Sequence, residues 1–418
     1  MSTITVTLPD ELLKRCTRYA ESLHVSRAAY IRQSLERMNR DLASIVERVQ
    51  KEIRQDGCVA VICNTVRRAQ DVYMTLDSAN QSESFCPTEN LILFHARTTQ
   101  QWRDATQTKV LDAMSKKARE SGNRPSRMVV VATQVIEQSL DLDFDVMLTD
   151  LAPLDLLVQR AGRLHRHPPK ERAHPYRLLI TAPEMKGEAP HFLHTEFPYE
   201  PNFLFRTWAV LQGCDSLTLT SDAPRLIELV YGESDMPNLN PALADIMKKA
   251  KDDCKRSQVA DERQAGGTLI SKPSSKGLLA QSNQDLIEDD DPETSRAIRA
   301  LTRRDAPGVS LVCLHRVNNQ TCLDPEGKEP VDVDKPSRSQ IVKLARAMIN
   351  VQSQPVLEHF AAQEPPKRWK KIAALRYARL AVFENNENKD NPKFTLRLTR
   401  ALGLQINYGK SGGQDDDL

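Results

Sequence analysis

Residues Met128–His167 read MVVVATQVIEQSLDLDFDVMLTDLAPLDLLVQRAGRLHRH. The order is an apolar run, a polar loop, a second apolar run, and a segment carrying Gln159, Arg160, Arg163 and Arg166. Continuous apolar runs bounded by polar turns predict strands buried on both faces, as in a parallel sheet. The closing segment predicts a helix on which those four polar residues converge over about a turn and a half. Three are permanent cations whose planar forks suit phosphate oxygens. Taken alone, such an arginine cluster also fits a surface helix held in a salt-bridge network, the less favoured of the two readings.

Outward from this stretch the same alternation continues. Apolar runs CVAVICN (58–64), LILFHA (91–96), MVVVAT (128–133), DVMLTD (145–150) and YRLLIT (176–181) predict strands. Helical patterns ASIVERVQKEIRQ, TVRRAQDVYMTL and RTTQQWRDATQTKVLDAMSKKARES stand before and between them. Strands alternating with helices predict an α/β domain with an open, largely parallel sheet. Beyond Thr181 the reading gives helices near 202–212 and in APRLIELVYG. A polar stretch over 247–293 follows, read as a helix and a flexible linker. Ordered structure resumes with a strand at VSLVCLHRV (309–317), a helix at PSRSQIVKLARAMINV and a further helix over PPKRWKKIAALRYARLAVF.

The first forty residues form a separate unit. Ser2 to Leu8 alternate strictly, with Thr3, Thr5 and Thr7 on one face and Ile4, Val6 and Leu8 on the other, which predicts a half-buried strand. Pro9 ends it, a helix follows, and Ser26 caps a second helix. A lone strand leaves its backbone groups unpaired, so a second copy of the chain is the economical partner. No run approaches the ~20 apolar residues that span a bilayer, and the N-terminus lacks the order of a signal peptide. The expected location is cytoplasmic. A net charge of +2 means that any nucleic-acid contact rests on local patches. Eight scattered cysteines lack metal spacing and read as core residues.

The ATQVIEQSLDLDFD…QRAGRLHRH wording resembles motifs V and VI of superfamily 2 helicases, and more specifically the helicase–nuclease of type I CRISPR systems. The resemblance implies that the sheet is the second RecA-like domain, over 43–215, with CNTVRRAQ as motif IV and FHARTTQQWR as a DNA-contacting segment. It further implies Arg163 and Arg166 as arginine fingers, Gln159 and Arg160 as organisers of the nucleotide cleft, and Asp141 as a ribose or interdomain contact. Thr65, Arg97 and Thr133 would touch a single-strand backbone. ALTRRDAPGVSLVCLHRV and ALGLQINYG resemble the accessory C-terminal domain of the same enzyme, placed at 295–410 after a helical and linker segment (216–294) and before a tail (411–418). In the family that domain closes over the DNA channel and docks on the surveillance complex Cascade.

ITVTLPDELLKRC…HVSRAAYIRQSLERM resembles the ribbon–helix–helix family of dimeric repressors, placed at 1–42. That resemblance implies a homodimer through the ribbon, with Thr3, Thr5 and Thr7 toward duplex base edges and the amides near Ser26 and Arg27 on phosphate. Threonines read bases weakly, so a dimerisation module with little sequence preference, or a monomeric cap, remains open.

The sequence contains no G-x-x-x-x-G-K-[ST] and no D-E-x-[DH] after an apolar strand; Gly409-Lys410-Ser411 lacks both the upstream glycine and the following helix. His165, His167, His174, His191 and His194 lack the paired aspartates of a two-metal nuclease site. The expectation is therefore no cofactor or metal bound by this chain alone, with ATP and Mg²⁺ only when a partner domain completes the cleft. Three readings follow: a non-catalytic DNA- and Cascade-binding regulator or inhibitor of a type I CRISPR system, the second half of a split ATP-dependent helicase, or a gene remnant.

Overall fold

A computed structural model describes residues 41–137, 140–168, 172, 174–186, 189–191, 199–212, 221–233, 236, 241–266 and 308–408. The ribbon–helix–helix expectation over 1–42, with Thr3, Thr5, Thr7, Ser26 and Arg27, lies outside the described residues except for its last two positions, 41 and 42. So do the expected linker beyond Gly266 and the tail.

The chain enters through a helix over 41–53 (α1) and builds a five-stranded sheet from β1 (Gly57–Ile62), β2 (Leu91–Phe94), β3 (Arg127–Ala132), β4 (Val146–Thr149) and β5 (Leu178–Ile180). The order is β2-β3-β1-β4-β5 and every pairing is parallel. The apolar runs explain this directly. Val59, Val61, Val129 and Val131 enter one core under α1 and α2 (Val66–Glu83), while Cys58, Ala60, Ile62, Val130 and Ala132 enter the other, under α3 (Gln100–Met114). The expected α/β architecture is present.

Three predicted helices are interrupted. The one over 97–121 breaks at Ser115, whose hydroxyl accepts from the Ala118 amide and starts α4 (Lys116–Glu120). The one over 336–351 is α9 (Arg338–Arg346), started by a capping box between Ser337 and Gln340. It then yields to strand β10 (Met348–Val351), because Ile349 and Val351 alternate into the sheet core. The third, over 365–383, is a tight turn at Trp369–Lys371 followed by strand β11 (Arg379–Glu384). Trp369 is fully buried and its Nε1 donates to Val333 O at 3.0 Å, which fixes the turn.

Among the described residues, β5 is followed by a small hairpin, β6 (Glu184–Lys186) with β7 (Ala189–His191), and by the helices α6 (Pro201–Gln212), α7 (Ala223–Tyr231) and α8 (Pro241–Gly266). The second sheet has β8 (Val309–Val317), β9 (Gln320–Cys322), β10, β11, β12 (Glu387–Asn391), β13 (Phe394–Thr399) and β14 (Gly403–Tyr408), in the order β10-β8-β11-β12-β13-β14 with β9 on β8. Only β8 and β11 pair in parallel. One face packs on α10 (Gln354–Ala361), and Trp102 of α3 joins that core. The opposite face packs on α9 and the Trp369 turn.

Cys58, Cys63, Cys86, Cys254, Cys313 and Cys322 are free and buried, as small core residues. Among the described residues no helix is long and apolar enough to cross a membrane, and no group of three His, Cys, Asp or Glu is placed to hold a metal.

Candidate functional site

The arginine segment is built differently from the single helix that its sequence suggests. Helix α5 spans only Leu154–Ala161 and therefore carries Gln159 and Arg160 alone. At Gly162 the chain leaves the helix, Leu164 bridges Phe144, and His165 takes a left-handed φ of 45°. Two hydrogen bonds, Phe144 N to Arg163 O at 2.9 Å and His165 N to Phe144 O at 3.0 Å, draw this strand-like piece alongside the entry to β4. Leaving the helix at Gly162 places Leu164 in the core that α3 covers, where its side chain is removed from water.

This geometry sorts the four candidates by exposure. Arg160 is fully buried. Its guanidinium donates to Glu137 Oε1 at 2.7 Å, Thr149 Oγ1 at 2.6 Å, Asp150 O at 3.3 Å and Tyr199 Oη at 3.1 Å. Arg163 is buried too, donating to Leu140 O and, at 2.6 Å, to Glu137 O. Burial depresses its basicity, with the neighbouring Arg166 charge adding to the effect. Gln159 and Arg166 are exposed. Asp141 is half-buried, and its carboxylate meets Arg166 Nε at 3.2 Å and His167 Nε2 at 2.9 Å. The surface available to an anionic ligand is therefore Gln159 and Arg166, backed by a second tier in which Arg160 and Arg163 hold the loop after β3.

Tyr199 is a member of this tier that the sequence did not announce. Its hydroxyl also accepts from Gln134 Nε2 at 3.1 Å, and Gln134 reaches Asn64 O at 2.8 Å. One phenol thus links the loop after β3, the arginine helix and the end of β1. Glu137 was likewise unread; burial pushes its carboxyl up, and Arg160 opposes that shift.

Below the site lies a second ionic cluster. Asp143, fully buried, accepts from Arg119 Nε at 3.0 Å, Arg172 Nη2 at 2.8 Å and the Arg166 amide at 2.9 Å. Asp145 accepts from the Cys58 amide, Arg124 and Arg172, each at 2.8 Å. Burial raises its pKa, but Arg124 and those hydrogen bonds prevail and hold it below the usual carboxylate range. The period-two acids of DLDFD are the signal that marks this cluster in the sequence. The nearby histidines are used locally: His165 contacts Asp145 O at 3.0 Å and His174 contacts Asp56 O at 2.5 Å.

The three expected strand-contacting residues come from separate loops at the carboxyl ends of β1, β2 and β3. Thr65 caps α2, accepting from the Arg68 amide. Arg68 in turn is clamped by Asp150 at 2.9 Å, which ties α2 to the end of β4. Thr133 is buried, its amide on Phe94 O at 3.2 Å. Arg97 is buried under the turn between β13 and β14. There the Leu404 amide donates to Arg97 O at 2.8 Å, His95 Nε2 meets Leu402 O at 3.0 Å, and Gln70 Nε2 donates to Leu402 O at 2.7 Å and Leu404 O at 3.2 Å. An ion pair between Arg346 and Asp104 at 3.0 Å adds to the contact. The second sheet is thus fastened by backbone atoms to the segment Phe94–Arg103.

Gly403 makes that contact possible. Its φ is +67°, and a Cβ there would meet Thr98 Cγ2 at 2.7 Å and His95 Cε1 at 2.8 Å, besides crowding Arg97 O. Gly403→Ala is expected to destabilise the protein by about 2 kcal/mol, from left-handed strain plus displacement of the turn. Urea melts check the loss. Faster exchange of the Leu404 amide would show that the contact itself has opened.

Residues 55–169 match the family model for the C-terminal part of the CRISPR-associated nuclease/helicase Cas3. The chain is 33% identical over 398 residues to a CRISPR-associated endonuclease/helicase Cas3 of Thermus thermophilus, covering 83% of this chain and 42% of that protein. A crystal structure of T. fusca Cas3 with ATP aligns with a TM-score of 0.70 and 26% identity over 87% of this chain and 40% of that one. A chain of a CRISPR RNA-guided surveillance complex in a pre-nicking state aligns with a TM-score of 0.63 and 26% identity, covering 87% of this chain and 42% of that one. The chain therefore spans about two fifths of the length of these relatives.

Proposed function

From this homology to the C-terminal region of the Cas3 helicases, we propose that the chain is a DNA- and Cascade-binding regulator or inhibitor of a type I CRISPR system, without ATP turnover of its own. The observation that carries this is the arginine tier. Arg160 is held by Glu137, Thr149, Tyr199 and a main-chain carbonyl, and Arg163 is buried on the carbonyls of Leu140 and Glu137, leaving Arg166 and Gln159 on the surface. Such a wall supports a helicase-shaped surface by itself, while phosphoryl transfer also needs a cradle for the β- and γ-phosphates. The homology to a chain of a surveillance complex supports that complex as partner.

A specific observation also favours a second reading, the arginine-bearing half of a split helicase. Arg166 is accessible beside Asp141 and held by its amide to the buried Asp143, which is the placement a finger needs when a phosphate-loop partner supplies ATP and Mg²⁺. One experiment separates the two: pull-down of the purified chain on DNA-bound Cascade, with ATPase activity assayed in the same samples. Binding without turnover is the expected result. ATP hydrolysis by the chain alone, abolished by Arg166→Ala, overturns the leading reading, and turnover that appears only with a partner chain establishes the second.

The N-terminal ribbon carries its own proposal, a homodimer that holds duplex DNA. Deleting residues 1–42 is expected to give a monomer in sedimentation and to remove salt-sensitive duplex binding. Retention of both properties would exclude that role.

A further inference from the structure

The segment Pro365–Phe383, PPKRWKKIAALRYARLAVF, contains six Lys or Arg and no Asp or Glu, in a chain whose overall charge is only +2. Most of it is an irregular turn, yet it is rigid. Trp369 N bonds to Pro366 O at 2.8 Å, Lys371 N to Arg368 O at 3.1 Å, Ile372 N to Trp369 O at 2.9 Å, Leu375 N to Ile372 O at 2.9 Å and Ala378 N to Leu375 O at 3.0 Å. Trp369, Leu375 and Ala378 are sunk in the core beneath α9. Lys367, Arg368, Lys370 and Lys371 therefore project outward from a fixed base, all exposed. Lys370 pairs with Glu364 at 2.5 Å. The side chains of Lys367, Arg368 and Lys371 have no hydrogen-bond or ion-pair partner among the described residues.

Crowding like charges on a rigid turn works against the folded state, and the repulsion is relieved when a polyanion binds. The composition selects the kind of polyanion. Lysine is depleted from protein–protein interfaces, whereas Lys and Arg side chains are the usual donors to nucleic-acid phosphates. The place selects the role. This turn covers the face of the second sheet opposite the one that Trp102 of the RecA-like domain joins, and the hydrogen bonds that hold it, within the turn and from Trp369 to Val333, involve neither the arginine tier nor Thr65, Arg97 or Thr133.

We propose that the turn carrying Lys367, Arg368 and Lys371 is a preorganised platform that holds the phosphodiester backbone of a nucleic acid, without sequence preference and outside the motor cleft.

The test is fluorescence anisotropy of the full chain with labelled single-stranded and duplex oligonucleotides of random sequence, over a series of salt concentrations. The variant is Lys367→Ala/Arg368→Ala/Lys371→Ala, and the control is Lys248→Ala/Lys249→Ala/Lys255→Ala on the exposed side of α8. Each lost phosphate contact reduces the slope of log K against log salt by about 0.9 for duplex or about 0.7 for a single strand. The platform variant is expected to lose about two to three contacts and on the order of a hundredfold in affinity near 0.1 M salt, and the arm that changes names the strand type. A benzoylphenylalanine at the exposed Ala373 should crosslink the same oligonucleotide, which reads this surface apart from any N-terminal site. An unchanged slope with no crosslink overturns the proposal. So does a poly-glutamate chain that competes as well, charge for charge, as the nucleic acid, since the surface would then fit an acidic protein.

Discussion

Arg160→Ala is expected to lower the unfolding free energy by about 3–5 kcal/mol, the range for removing one partner of a buried ion pair. The side chain is fully buried and makes contact with four residues. Truncation leaves Glu137 in a largely buried position without its counter-charge, and strips donors from Thr149 Oγ1, Asp150 O and Tyr199 Oη. The burial that already pushes the Glu137 carboxyl up would then act unopposed by Arg160, so the variant should gain part of its lost stability as pH falls and Glu137 takes a proton. Urea unfolding followed by circular dichroism measures both effects. A loss below about 1 kcal/mol, as for an ordinary exposed substitution, would mean that the guanidinium is spare and free to serve a nucleotide. Arg166→Ala is the companion measurement. Its guanidinium is exposed and shares a solvent-facing pair with Asp141, so it should change stability little.

The second large effect is an acid-driven loss of stability centred on His95. The ring is almost completely buried between the two sheets. Its Nδ1 accepts from the Arg97 amide at 3.1 Å, so Nε2 carries the proton that bonds to Leu402 O at 3.0 Å. Both partners are satisfied by the neutral ring. Protonating Nδ1 would turn it toward another donor. Burial lowers the pKa from 6.5 to about 4, with the Leu402 carbonyl opposing the shift and the Arg97 charge reinforcing it. The unfolded chain takes up the proton first as pH falls. Stability from this group is therefore fully present above about pH 6.5 and declines from there to about pH 4, by roughly 3 kcal/mol in all. Unfolding free energies measured at several pH values, for the wild-type chain and for His95→Gln, isolate the contribution. A pH profile identical in the two proteins would show that His95 stays neutral in the unfolded chain or charges freely in the folded one.

These two residues stand on opposite sides of what the sequence offers. Arg160 is visible in QRAGRLHRH as a cation in a run of cations, and nothing in that run separates it from Arg166. The difference arises because α5 stops at Ala161 and Leu164 turns back into the sheet core, which rotates Arg163 inward and leaves Arg166 out. His95 reads as the last residue of an apolar run. Its partner carbonyl is 307 positions away in the chain.

The five parallel strands were legible because their cause is local. In β1 to β4 an apolar run of four to six residues, nearly all buried, is encoded in consecutive positions, and so are the cap at Thr65 and the start of α9 at Ser337; the shorter, half-buried β5 shows the same apolar run more weakly. The motif residues were legible for the same reason, as side chains at fixed short spacings. Which of those side chains face solvent was decided by tertiary structure alone. Glu137, Tyr199 and the Leu402 carbonyl come from separate loops and from the second sheet, and each fixes Arg160 or His95 by a hydrogen bond or charge. Such partners obey no period, because the distances that matter are set by how two sheets and their helices pack, and chain separation does not enter.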